Sequence, residues 1–398
     1  MPPLPLPEAA TPGHAQAPVA LGLNVLIDHA KKDLKAKANP PFLSHYRVLP
    51  ENVRTAYDLF LTGAQLVRAT ATKYALVGAA SKKDQVTLGN DLLRGCELIG
   101  AAVHATVADA SGCSRAVRHY NQKAALAVYL ATLRLVEAFH PELQRTSKDG
   151  SVRGSGGDPA SRAVPAASDN TVGAQKTGAV WEACDHILNK MLPQGNRSAI
   201  RREIFTWTRE CNDTLEEFDE MVQLGPREGG GGDDAEGEED DDDDGFCGFG
   251  GDDDKYTEDD LPLAEACVKL LKNSRGNMRV ALETCEALGE RLAGSGSDKD
   301  DETILDAILR VHEHAKNVGE GVTDFGSLLY PPLVPSTAHL EAGVRRQAAL
   351  IREFQDCVLG LEHLPTKTME LARTLRATAD TREKDFFDAL AAYKNKAC

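Results

Sequence analysis

The stretch SRAVRHYNQKAALAVYLATLRLVEAFH, residues 114–140, decides the fold class. Tyr120, Ala124, Val128, Ala131, Leu135 and Phe139 recur in it at steps of three and four, the spacing that gathers side chains on one side of an α-helix. Pro141 then stops the run, because proline has no amide hydrogen to give to the helix ladder. The preceding residues repeat the pattern with Leu88, Leu92, Cys96, Ile99, Val103 and Val107. Only Asp109-Ala110-Ser111-Gly112 separates the two runs, so they are expected to pack as antiparallel neighbours.

The same reading extends in both directions. A short helix over 20–38 is closed by Pro40-Pro41, and an apolar band from Asn52 to Val77 contains Leu59, Leu66, Ala69 and Tyr74. Helical pattern returns at Val180–Leu192 and at Asn196–Leu224, where the Asn196 side chain is placed to cap the first turn. Further on come a helix over 261–292, loosened around Asn273-Ser274-Arg275-Gly276, and one striped by Ile304, Ala307, Ile308 and Val311. Two more, over 337–362 and 367–396, are split by Pro365. Hydrophobic residues make up 42% of the chain but aromatics only 5%, a balance that suits close-packed helices better than sheets. The expected fold is all-α, with long antiparallel helices in one continued or two adjacent bundles.

Charge sets the domain organisation. Between Glu228 and Asp260 stand 17 of the chain's 61 acids and one of its 45 bases, so this segment accounts for the whole net charge of -16. Such a segment repels itself and has little to bury. The expected organisation is a disordered segment over 1–18, an N-terminal helical bundle over 19–226 with a flexible loop at 147–176, an acidic disordered linker over 227–260, and a C-terminal helical region over 261–398. Within the linker, Phe246 and Phe249 lie on a glycine-rich backbone next to Asp240, Asp241, Asp242, Asp243 and Asp244, and these seven are the candidate protein-binding residues. They admit two readings, a docking element for a basic partner or a solubilising spacer. The carboxylate run lacks the spaced oxygens and closing glutamate of a calcium loop.

An acidic chain without a local basic stripe is not expected to bind nucleic acid directly, and no run approaches the 18 apolar residues of a membrane span. The first 18 residues contain no Lys or Arg, unlike the start of a signal peptide. Nine scattered cysteines without a C-x-x-C pair suit reduced, buried thiols.

Tests for chemistry are negative. His104 and Asp109 are five residues apart and point away from each other on a helix, while Cys113 and His119 lie beyond the turn. His312 and His314 are two apart and face different ways, and Lys316 stands where a zinc peptidase would need a second histidine. There is no phosphate-binding glycine loop and no nucleophile elbow, so neither an enzyme nor a cofactor is expected. Trp181 sits beside Val180 and Ala183 in an apolar stripe and is read as core in preference to a binding anchor.

Val180-Trp181-Glu182-Ala183-Cys184, Asn212-Asp213-Thr214-Leu215-Glu216-Glu217, the acidic run ending in Asp244-Gly245-Phe246, and Ser327-Leu328-Leu329-Tyr330-Pro331-Pro332 occur in that order. With them the sequence resembles the cyclin-D1-binding protein 1 family, also called the Grap2 and cyclin-D-interacting protein family. The resemblance implies an all-helical protein of cytoplasm and nucleus. It also implies binding to D-type cyclins or helix-loop-helix transcription factors as a negative regulator of cell-cycle progression and transcription, without a basic DNA-contacting arm. Bundles of this family look like those of vinculin and catenins, which makes a cytoskeletal adaptor the alternative; an enzyme with a site assembled from distant residues is a remote one.

Overall fold

The computed structural model describes residues 12–34, 43, 45–77, 81–108, 111–140, 143, 169–189, 192–226, 255–294, 298–333 and 336–396. The described residues form an all-α fold of ten long helices. These are α1 (Pro12–Leu34), α2 (Glu51–Val77), α3 (Lys82–Val107), α4 (Arg115–Phe139), α5 (Asp169–Leu188), α6 (Asn196–Gln223), α7 (Leu261–Gly294), α8 (Asp298–Gly326), α9 (Thr337–Leu359) and α10 (Thr366–Lys396). None is long and apolar enough to cross a membrane. They divide into two compact units, Met1–Ala199 and Ile200–Cys398.

In the first unit α2, α3, α4 and α5 form a ring in which each packs on the next and α5 closes onto α2, while α1 lies against α3 and α4. The stripe read from the sequence is the inward face: Leu92, Cys96 and Ile99 of α3 and Ala124, Val128, Ala131 and Leu135 of α4 are buried together with Phe60, Val67 and Tyr74 of α2. Serines start both helices, since the side chains of Ser81 and Ser114 accept from the amides of Asp84 and Val117, each at 3.4 Å. Where α2 crosses α3, Gly63 meets Gly95; a methyl group on Gly63 would lie 2.6 Å from the Gly95 carbonyl oxygen.

The second unit repeats the plan. Helices α7 to α10 form a ring, and α6 lies on it, with Trp207 over Gly319 of α8 and Asp219 in an ion pair with Lys272 of α7 at 3.0 Å. The segment Asn273-Ser274-Arg275-Gly276, expected to loosen α7, lies within one continuous helix, and Asn273, Ser274 and the following Asn277 are buried. Each has a partner: Asn273 donates to the Leu375 carbonyl at 3.0 Å, Ser274 to the Leu270 carbonyl at 3.2 Å, and Asn277 to the Asn273 carbonyl at 2.8 Å. Buried amides and hydroxyls are tolerated when bonded in this way.

Several boundaries differ from expectation for tertiary reasons. Helix α1 begins at Pro12, so residues 12–18 of the expected disordered segment are helical; buried Gln16 donates to the Gln85 carbonyl at 2.8 Å, and this bond to α3 holds the early turns. Helix α5 takes in residues 169–176 of the expected loop, and Gly173 sits against the Phe139 ring. The division between units falls inside α6, not at the acidic tract, because Ile204, Trp207, Cys211, Leu215 and Phe218 are buried in the second unit. Asn196 does not cap its own helix. Its oxygen accepts from the Ser114 amide at 2.7 Å and its NH2 donates to the His45 and Gly112 carbonyls at 2.6 and 3.0 Å, tying together two connections of the first unit.

The last residues of the expected acidic linker are also ordered. Buried Tyr256 donates to the Leu329 carbonyl at 2.7 Å. Buried Asp260 accepts from the Thr257 amide at 3.2 Å through one oxygen and from the Leu333 amide at 3.1 Å through the other, just ahead of α7. Asp260→Ala strands two amides and is expected to lower stability by about 2 kcal/mol in chemical denaturation. The exposed neighbour Asp259→Ala should stay within roughly 0.5 kcal/mol of wild type.

Candidate protein-binding surface

The seven candidate residues Asp240, Asp241, Asp242, Asp243, Asp244, Phe246 and Phe249 lie outside the described residues. Of the rejected histidine cluster, His104 is exposed on α3, Cys113 is buried, His119 is half-buried on α4 and Asp109 is not described. His312 is buried on α8 with its Nε2 2.9 Å from Glu203, while His314 is only partly covered. Among the described residues no group of three His, Cys, Asp or Glu side chains is placed to hold a metal ion. The described cysteines are free, and all except Cys357 are buried. Burial pushes the thiols of Cys184, Cys211 and Cys285 up to about 12, which keeps them protonated and poorly nucleophilic at neutral pH.

Trp181 is where the structure departs most from the sequence reading. The inward stripe of α5 is Gly173, Thr177, Val180, Cys184 and Ile187, all buried. Trp181 lies at the edge of that stripe, about 100° round from Val180, and is 39% exposed. It is nevertheless held from both helices of the α2–α5 seam. Its indole N–H donates to the Thr72 hydroxyl at 3.2 Å, and that hydroxyl donates to the Arg68 carbonyl at 3.3 Å. The Arg68 guanidinium lies 5.5 Å from the ring centroid and is itself drawn to Asp185, one turn from Trp181, at 2.8 Å.

Two further features complete the surface. Leu76, one turn beyond Thr72 on α2, is 79% exposed, the most open of the large apolar side chains described. Gly178, one turn before Trp181 on α5, has nothing within 4 Å of the place a β-carbon would take. Because the Arg68–Asp185 and Thr72–Trp181 contacts make α2 and α5 antiparallel, Leu76 and Gly178 belong to the same end of the seam. Leu76 and Trp181 are thus exposed apolar side chains on the two helices of this seam, with open space at Gly178. Three-and-four spacing alone gave no warning of this, because Trp181 is four residues after Thr177 and three before Cys184. Arg68, Thr72 and Leu76 stand four apart on α2, and nothing in their types marked them as neighbours of the tryptophan.

Residues 60–224 match the family model described as "Grap2 and cyclin-D-interacting, N-terminal". A protein named cyclin-D1-binding protein 1 homolog, from Danio rerio, is 31% identical over 180 residues, 45% of this chain and 47% of that protein. Over residues 60–224 the chain is thus similar to the N-terminal region of the Grap2 and cyclin-D-interacting family. The alignment with that relative takes in about half the length of each protein. The family segment begins within α2 and ends just past α6, and it contains Arg68, Thr72, Leu76, Trp181 and Asp185. The Arg68–Asp185 and Thr72–Trp181 contacts of the α2–α5 seam therefore lie within the matched segment.

Proposed function

We propose that this protein belongs to the Grap2 and cyclin-D-interacting family and is a non-catalytic protein-binding regulator of cell-cycle progression and transcription, acting in cytoplasm and nucleus. Its partner on the α2–α5 seam is an amphipathic helix of a D-type cyclin or of a helix-loop-helix factor. The observation that carries this reading is the exposed Trp181 ring, held in place by Thr72, Arg68 and Asp185 before any partner arrives. A fixed aromatic ring loses little conformational freedom on binding, which is why tryptophans dominate interface energies. Leu76 and the open space over Gly178 offer an adjoining apolar face on which a helix can lay residues one turn apart. The acidic tract, with Asp240–Asp244, Phe246 and Phe249, has a separate part in the proposal: it speeds encounter with a basic partner at low salt.

The purified 398-residue chain is tested against a D-type cyclin and a helix-loop-helix factor by surface plasmon resonance. Trp181→Ala is expected to weaken binding by roughly 30-fold or more, the loss expected for a hot-spot residue. Leu76→Ser should weaken it less, with unfolding midpoints near that of wild type in both variants. Wild-type affinity in both variants would move the site elsewhere, and a wild-type chain that binds neither partner would overturn the reading.

A further inference from the structure

In the second unit, beyond the family segment, a cavity of about 290 Å³ opens between the last turns of α8 and the first half of α9. Its walls include Phe325 and Leu328, and Asp324 and Arg346, in an ion pair at 3.2 Å, line it as well. Two glycines let its lining side chains pack close to the backbone. A methyl group on Gly343 would come within 2.5 Å of Leu328, and one on Gly321 within 2.4 Å of the Gln347 amide oxygen.

Gln347 supplies the polar end. Its side chain is 1% exposed, and its Nε2 donates to the Ser274 hydroxyl at 3.0 Å and to the Val318 carbonyl at 3.2 Å. A carbonyl oxygen can only accept, so the group facing Val318 must be the NH2 and the amide cannot be flipped. Ser274 spends its own hydrogen on the Leu270 carbonyl, which leaves its oxygen to accept from Gln347. The Gln347 oxygen is thereby turned toward Gly321 and the cavity, and no described residue donates to it. An acceptor that faces the opening without a protein donor is free to accept from a ligand that brings one N–H or O–H.

We infer that this cavity is a binding site for a flat aromatic group that carries a single hydrogen-bond donor, an indole or phenol ring, with Gln347 Oε1 as the acceptor and Phe325 and Leu328 as the apolar walls. The volume is at the small end for ligand sites and suits a ring of this size. A free small molecule and an aromatic side chain of another protein share this chemistry. The site is independent of the α2–α5 seam and of the partner proposed for it.

The test uses indole, 1-methylindole and N-acetyltryptophanamide with the full chain, read by ligand-observed nuclear magnetic resonance titration. Indole is expected to bind with a dissociation constant on the order of 1 mM, as befits a ligand of so few atoms. 1-Methylindole, which keeps the ring but loses the donor, should bind about 5-fold more weakly. Leu328→Trp and Gly343→Val fill the cavity from opposite walls, and each folded variant should lose indole binding. Gln347→Met should bind indole and 1-methylindole equally. Tighter binding of N-acetyltryptophanamide than of indole identifies a protein side chain as the occupant, and weaker binding identifies a free ligand. Equal binding of indole and 1-methylindole to the wild type, or indole binding that survives both cavity-filling variants, overturns the assignment.

Discussion

Gly63→Ala and Gly95→Ala are each expected to destabilise the protein by roughly 3 kcal/mol, a large part of the 5–15 kcal/mol that holds a typical domain together. At an open helical position the same substitution stabilises by about 0.5–1 kcal/mol, because alanine restricts the unfolded chain and glycine does not. Position decides the sign. At Gly63 the new methyl would lie 2.6 Å from the Gly95 oxygen and 3.1 Å from the Ile99 nitrogen, both of them backbone atoms that cannot rotate away. At Gly95 it would meet Val67 at 2.6 Å and the Gly63 oxygen at 3.1 Å, so α2 and α3 must separate and lose the packing along their shared face. Gly178→Ala, where nothing lies within 4 Å, is the matched control and should raise stability. Urea denaturation of the three variants checks the pair against the control; a stable Gly63→Ala protein would show that the crossing is looser than described.

The second large effect is expected at the buried pair between α6 and α8. His312 is fully buried, its Nε2 lies 2.9 Å from Glu203, and the Trp207 ring stands 5.4 Å away at a 34° tilt. Removing one member of a buried pair leaves the other desolvated without its partner, so Glu203→Ala should cost about 3–5 kcal/mol. Replacing both at once with Glu203→Leu and His312→Leu removes the desolvation problem itself and should recover most of the loss. Because Ile200–Cys398 form a unit of their own, the damage should appear as early exchange of the amides of α6 and α8, measured by hydrogen exchange. A double variant no better than Glu203→Ala would mean that the residues act separately.

The acidic tract illustrates where sequence reading ends. Its composition announced a segment with nothing to bury, and residues 227–254 are not among those described. Composition could not show that Tyr256 and Asp260, inside the expected linker, are tied down by Leu329 and Leu333, more than seventy residues away. Asn196 teaches the same lesson from the opposite side. As a residue type it suits a helix cap, and its local setting supported that reading, but three backbone groups from two distant connections compete for its side chain and win.

What the sequence by itself determined is the set of helices, their antiparallel runs and the inward stripes of α3 and α4, though not that of α2, where Leu59 and Ala69 are exposed; three-and-four spacing and proline are local facts that any packing must respect. The likeness to the Grap2 and cyclin-D-interacting family was legible in short motifs such as Val180–Cys184 and Asn212–Glu217, which lie within the matched residues 60–224. Only the tertiary structure decided that Trp181 stands outside the core, that Gly63 meets Gly95, that α6 belongs with the C-terminal half, and that Gln347 faces a cavity. Periodicity reports which side chains share a face, but whether a neighbouring helix covers that face, how closely, and with which polar partner depends on residues far away along the chain.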